Sequence, residues 1–296
     1  MNTAPSLNHR RGYIGGGNTA GILGLSPYKS RLDEYLTIQG QADAPDASRE
    51  RFFKRRKALE PFATEAFTQE TGRQVVRRNE HYTDEDHAYL KAEIDFEVDD
   101  GWNGETKTVH PLAARDWGPS GSDEAPLYVI AQAMHGMGIN GAPGCWIHAL
   151  VGLDDDRIYR IERDDDTIAA IRAQEIAFWN DHVLPQLPPE PTTIEDLRRL
   201  FPRDSGRQVE ADAAAFADYQ RLKYLQPLVK EVDTIKERLQ LYMRDATALV
   251  DGDGRALVTW KAQSSRRFNQ AEFGKAHPDL LEAFKLASDS RVMRVK

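Results

Sequence analysis

Cysteine is nearly absent. Cys145 stands alone in 296 residues, which excludes an intramolecular disulfide and any cysteine-rich zinc site and suits a reducing, cytoplasmic setting. Long apolar runs are also missing. The longest stretch free of Asp, Glu, Lys and Arg, residues 125–153, is broken by Gln132, His135, Asn140, Pro143 and several glycines, so no bilayer span and no membrane partner is expected. The opening MNTAPSLNHRR has no apolar segment and does not read as a secretory leader. The eight histidines (9, 81, 87, 110, 135, 148, 182, 277) form no zinc-binding spacing, and no G-x-x-x-x-G-K-[ST] occurs, so neither a zinc hydrolase nor an ATP motor is indicated. GGGNTAG can be forced onto the dinucleotide fingerprint through Gly15, Gly17 and Ala20, but no strand is evident before it and no βαβ pattern after it.

What is present is globular: 40% hydrophobic and 29% charged residues, enough chain for one large or two modest domains. The net charge of −8 is unevenly spread, since residues 1–60 hold ten Lys/Arg against six acids. A basic patch on an acidic protein can engage phosphates locally, while gathered acids are compatible with a divalent-metal centre.

Along the chain, a glycine-rich turn region (12–30) precedes a helical pattern through Leu32, Tyr35 and Leu36. Residues 49–72 read as a helix or helix pair, with a break beside Glu60 because Pro61 follows. Strands are expected at 74–77, 89–98 and 103–109, the last two joined by the turn Asp99-Asp100-Gly101. Residues 126–138 form a helical pattern, 145–153 and 157–163 two more strands, and 165–184 a helix. The order predicts an α/β (α+β) core, a central mixed sheet flanked by helices. Proline-rich LPQLPPEPTT marks a boundary, placing a core at 1–188 and an extension at 189–296. In the extension, 211–248 is a long helical stretch that Pro227 should kink or split, with an apolar stripe expected to pack, and a hairpin follows around DGDG (251–254).

Asp95 precedes Glu105-Thr106-Lys107 by ten residues. Side chains alternate along a strand, so Glu105 and Lys107 share a face, and Asp95 across the hairpin would bring two carboxylates and an ammonium together. Such a set suits a divalent ion bound by carboxylates, with a lysine that orients or activates water. The same residues also fit a cross-strand ion pair on an exposed hairpin. Glu60 lies on the helix before the strands, where it is either a third acid for the site or an acid near a helix start. Gln132 sits one turn after Tyr128 on an otherwise apolar helix, facing the site or solvent. Cys145, without a basic neighbour, reads as a small buried apolar residue.

Arg-x-Gly-x-Ile-Gly-Gly, AGILGLSPYKS, ALEPFATEAFTQETG, LKAEIDFEV, GETKT and YVIAQAMHGM occur in this order over about residues 10–185. This set resembles the YqaJ-type viral recombinases, the phage lambda exonuclease branch of the PD-(D/E)xK nucleases. VTWKAQSSRRFN and the segments after it resemble an extension carried by many members. The resemblance implies a PD-(D/E)xK restriction-endonuclease-like core with a C-terminal helix-plus-hairpin extension. It implies a two-metal, Mg²⁺-dependent (or Mn²⁺-dependent) 5′→3′ exonuclease on linear duplex DNA ends, leaving 3′ single strands for recombination. Asp95, Glu105 and the Thr106 main-chain carbonyl would bind metal, Lys107 would act on the water, Glu60 would complete the second-metal or water network, and Gln132 would support the site. Arg10, with Arg11 as its rival, would bind the DNA 5′-phosphate. A single-strand annealing protein and a homotrimer are the implied partners. The alternatives are an endonuclease or repair nuclease on the same core, or a non-catalytic DNA-binding accessory protein. The chain departs from the pattern at Gly17-Asn18-Thr19, where Gly-Ser-Asp is usual, at Ile94, where proline often precedes the aspartate, and at Met134, where a second glutamine is usual. The run ERFFKRRK (50–57) could meet phosphates with its cations while Phe52 and Phe53 pack inward or wedge at an end, or it could be a solvated helix face. His81, His87 and His110 bracket the site strands, at the surface or against DNA.

Overall fold

The computed structural model describes residues 12–44, 46–152, 154–286 and 291–295. Arg10 and Arg11 lie outside the described residues. Two compact units divide between Leu200 and Phe201.

The first unit runs β1 (Ile14–Gly15), α1 (Gly16–Ile22), α2 (Arg31–Ile38), α3 (Ala47–Thr71), β2 (Val75–Thr83), β3 (Leu90–Val98), β4 (Asn103–Val109), α4 (Leu127–Asn140), β5 (Gly144–Val151), β6 (Asp155–Glu162), α5 (Asp165–Phe178) and α6 (Ile194–Leu200). Its sheet has the order β1-β3-β4-β5-β6, with β2 also on β3. The β1–β3 and β4–β5 pairs are parallel and the others antiparallel. This is the mixed sheet with flanking helices that the element order predicts. Both faces are covered, so β5 is buried almost throughout. Phe67 of α3 packs on Phe96 and Trp146, with ring centres 5.0 and 6.2 Å apart. The alternate residues Cys145, Ile147 and Ala149 share a core with Val129 and Met137 of α4.

Several local expectations fail for identifiable reasons. The glycine-rich segment is not only a turn: Ile14–Gly15 joins β3, and Gly16–Ile22 is helical. A Cβ on Gly16 would lie 3.1 Å from Gln132 Cγ, so α1 lies directly against α4 with little room for a side chain between them. Pro61 does not break α3. Its ring lies on an exposed part of the helix, where water can satisfy the Lys57 carbonyl that lost its donor. The Asp46 carboxylate caps the start of α3, accepting from the Arg49 amide at 2.8 Å, and Gly72 closes its end at φ 68°. Strand β2 extends to Thr83, well past the predicted Arg77, because it pairs along nearly all of β3. α6 was not expected. Its Asp196 is buried and accepts from the Ser30 hydroxyl at 2.7 Å and from the Thr192 and Thr193 amides at 3.1 Å, which ties residues 192–200 to the first unit beyond the proline-rich segment.

The second unit contains α7 (Ala213–Met243), the hairpin β7 (Ala248–Val250) and β8 (Ala256–Thr259), α8 (Gln270–Ala276) and α9 (Pro278–Ala283). α7 runs through Pro227 as one helix. Its expected apolar stripe is largely uncovered, with Leu225, Val229 and Val232 at 37, 61 and 49% exposure. No helix of the described residues is long and apolar enough to cross a membrane.

Candidate active site

The site begins as a fork in the sheet. One edge of β3 is paired by β2 from Lys91 to Val98. The other edge is divided: β1 takes Leu90 and Lys91, and β4 takes only Phe96 and Glu97. Between these two short pairings β4 leaves β3, and Asp95 fills the gap, its Oδ2 accepting from the Thr106 amide at 2.8 Å. Gly104 allows the close approach on which the fork depends, since a Cβ there would stand 2.0 Å from the Phe96 ring. The β2–β3 ladder also skips Asp95 and the residue opposite it, Asn79, which has φ 54°. Ile94, just before Asp95, is buried with its Cδ1 close under Gly136 of α4.

Glu105 and Lys107 share one face of β4, as the period of two requires. Lys107 Nζ hydrogen-bonds Glu105 Oε1 and also donates to Gln132 Oε1 at 2.8 Å. Gln132 Nε2 donates to Glu105 Oε1 at 2.7 Å. The carboxylate, ammonium and amide thus form a closed triangle across β4 and α4. Glu105 is 7% exposed, and burial together with its charge pushes the Asp95 carboxyl up to about 7, against the pull of Lys107, the Thr106 amide and Lys57. Glu60 stands at the margin. It projects from α3 within electrostatic reach of Asp95, and its carboxyl is raised by burial and by Asp95 although Lys57 opposes the shift. Its direct partner is Lys57, at 2.9 Å.

Asp95 and Glu105 offer only oxygen donors, the chemistry a hard divalent cation takes. Burial first and the Glu105 charge second raise the Asp95 carboxyl, and a bound cation would favour its ionised form. Among the described residues, no three His, Cys, Asp or Glu side chains are clustered closely enough to hold a metal ion by themselves. The residues present therefore fit a metal held by two carboxylates with water and substrate oxygens, with Glu60 outside that pair.

The remaining predicted residues divide clearly. Arg10 and Arg11 lie outside the described residues. Phe52 and Phe53 do not pack inward; they are 49 and 44% exposed, and the Arg56 guanidinium lies 4.2 Å from the Phe52 ring centre. Asn18 and Thr19 face inward: Asn18 Nδ2 donates to Glu34 Oε2 and the Thr19 hydroxyl to Glu175 Oε1, both at 2.6 Å. Cys145 is buried under the site, and burial followed by the Glu105 and Asp95 charges raises its thiol. His81 lies on β2 opposite Glu93, His87 packs against Tyr89, and His110 Nδ1 accepts from the Leu112 amide at 3.2 Å. Sequence reasoning missed His135, one turn from Gln132. Its Nδ1 lies 2.8 Å from Glu175 Oε1 and its Nε2 2.9 Å from the Lys91 carbonyl, so α4 is bound to α5 and β3 behind the site. It also missed Lys57, although the three-residue spacing to Glu60 was visible.

Residues 7–143 match the YqaJ-like viral recombinase domain. The chain is 25% identical over 302 residues to the Bacillus subtilis (strain 168) protein YqaJ, covering 98% of this chain and 93% of that protein. The resemblance carried by the motifs therefore holds. Among solved structures, the alkaline exonuclease LHK-Exo of Laribacter hongkongensis superposes with a TM-score of 0.47 at 21% identity, over 65% of this chain and 94% of that one. A phage-related exonuclease from Haemophilus somnus 129PT superposes with a TM-score of 0.44 at 13% identity, over 57% of this chain and 92% of that one.

Proposed function

We propose that this YqaJ-like chain is a metal-dependent deoxyribonuclease that degrades linear duplex DNA from its ends in the 5′→3′ direction, leaving 3′ single strands for recombination. The observation that carries the reading is the meeting of Asp95, Glu105, Lys107 and Gln132 at the fork between β3 and β4. Asp95 and Glu105, with the Thr106 carbonyl, would hold Mg²⁺ or Mn²⁺, and Glu60 would join a second-ion or water network. When bound, the metal supplies Lewis acidity and neutralises phosphate oxygens.

The protein's own groups do the rest. Water attacks phosphorus, the P–O3′ bond breaks, and a mononucleotide leaves with its own 5′-phosphate. Lys107, kept in place by Glu105 and Gln132, orients the water and offsets the charge growing on the non-bridging oxygens. Gln132 fixes the ammonium and the carboxylate relative to one another, so neither must reorganise during the reaction. Arg10 or Arg11 receives the terminal 5′-phosphate, a single-strand annealing protein takes the product strand, and a homotrimer encircles the duplex.

The test compares 5′-phosphorylated linear, 5′-hydroxyl linear and covalently closed circular duplexes, with Mg²⁺ or with chelator. Loss of only the linear forms, faster with a 5′-phosphate and abolished by chelator, Glu105→Ala or Lys107→Ala, is expected. Cleavage of the circle would point to an endonuclease, and wild-type degradation by both variants would remove the assigned chemistry.

A further inference from the structure

Lys57 sits among the acids at the margin of the site. Its Nζ lies 2.9 Å from Glu60 Oε2, 3.8 Å from Glu93 Oε1 and 3.4 Å from Asn79 Oδ1. Asp95 acts on the same ammonium at longer range. Two features make the arrangement more than a chance surface pair. Lys57 and Glu60 are one turn apart on α3, so the helix itself sets their spacing. Asn79, which supplies the uncharged oxygen, is the left-handed residue that the β2–β3 ladder skips opposite Asp95. Charge completes the argument. Lys57 faces Glu60 and Glu93 directly and Asp95 at longer range, and Glu60 also feels Asp95 and Glu93, so removing Lys57 leaves three carboxyl groups repelling one another.

We propose that Lys57 is a resident counter-cation for Glu60, present while no divalent ion engages that carboxylate and displaced when one does. The inference rests on the reading that Asp95, Glu105 and Glu60 serve a metal. The Lys57 ammonium occupies Glu60 Oε2 and offsets the charge that would draw a divalent ion there, so the pair and the ion compete for that oxygen, whereas Lys107 and Gln132 both engage Glu105 through Oε1. Displacement is easy because Lys57 and Glu60 side chains are 42 and 28% exposed, and such solvated pairs are weak. Lys57 is thus a positioning residue. It keeps Glu60 at the rim of the fork in the metal-free protein and weakens the binding step that recruits Glu60.

The test is a Mn²⁺ titration of the DNA-free full-length protein at fixed ionic strength, with free Mn²⁺ read by electron paramagnetic resonance. Lys57→Gln is expected to tighten the weaker binding step about fivefold, the scale of one solvated ion pair, while Lys57→Arg behaves as wild type. In a Glu60→Gln background, Lys57→Gln is expected to change nothing. Unchanged or weaker binding in Lys57→Gln at an unaltered melting temperature would overturn the proposal, as would tightening that persists without Glu60. Mn²⁺ binding that survives Asp95→Asn and Glu105→Gln would instead remove the metal reading itself, and the inference with it.

Discussion

Replacing His135 by alanine tests the buried polar network behind the site. Both ring nitrogens of His135 face acceptors, the Glu175 carboxylate at 2.8 Å and the Lys91 carbonyl at 2.9 Å. A neutral imidazole carries only one N–H, so it could satisfy one of these, whereas the imidazolium satisfies both. His135 is 3% and Glu175 2% exposed, so the pair is shielded from water. The histidine pKa lies above its ordinary value: burial alone would lower it, but the Glu175 charge and the two hydrogen bonds outweigh that. His135→Ala leaves a buried carboxylate with the Thr19 hydroxyl but no cation, and breaking a buried pair in this way costs about 3–5 kcal/mol.

Because the folded-state pKa is raised, the folded protein holds the proton more tightly than the unfolded chain. The pair's stabilisation is therefore complete below the ordinary histidine pKa of about 6.5 and is lost as pH rises through the higher folded value. The slope from one such group is at most about 1.4 kcal/mol per pH unit. Urea denaturation followed by near-ultraviolet circular dichroism, repeated across this range, measures both quantities. His135→Ala should lower the midpoint at acid pH and flatten its decline with pH, and Glu175→Gln should cost less in the His135→Ala background than in the wild type. A loss below about 1 kcal/mol, with the wild-type pH slope intact, would refute the buried imidazolium.

Phe67→Ala should cost about 3–5 kcal/mol in equilibrium denaturation, because the ring is fully buried against Phe96 and Trp146 and anchors the helix that carries Glu60. Gly104→Ala should cost about 1–3 kcal/mol through overpacking against Phe96, visible as a lowered melting temperature that Phe96→Leu partly restores. Gln132→Ala removes the hydrogen bonds that hold Lys107 and Glu105 together. At about 1.5–3 kcal/mol for bonds to charged groups, it should lower kcat about 10- to 100-fold with little change in KM, measured on a linear duplex.

What was legible in the sequence was whatever depends on neighbours along the chain. Alternation in LKAEIDFEV and NGETKTV around Asp99-Asp100-Gly101 places Asp95 near Glu105 and puts Lys107 on the same face, because strand side chains repeat every two residues wherever the strand goes. The mixed sheet follows from the order of such segments, and the family motifs follow from their order too. Tertiary packing alone decided the rest. Whether Gln132 faces solvent or the site depends on how α4 crosses β4, and α1, a helix its own glycines disfavour, lies directly against α4 there. Pro61 persists inside α3 because that face meets water, and Glu60 is paired with Lys57 because α3 runs unbroken between them. His135 and Glu175, forty residues apart, become an ion pair only once α4 and α5 are packed together, since nothing in either helix alone compensates a buried charge.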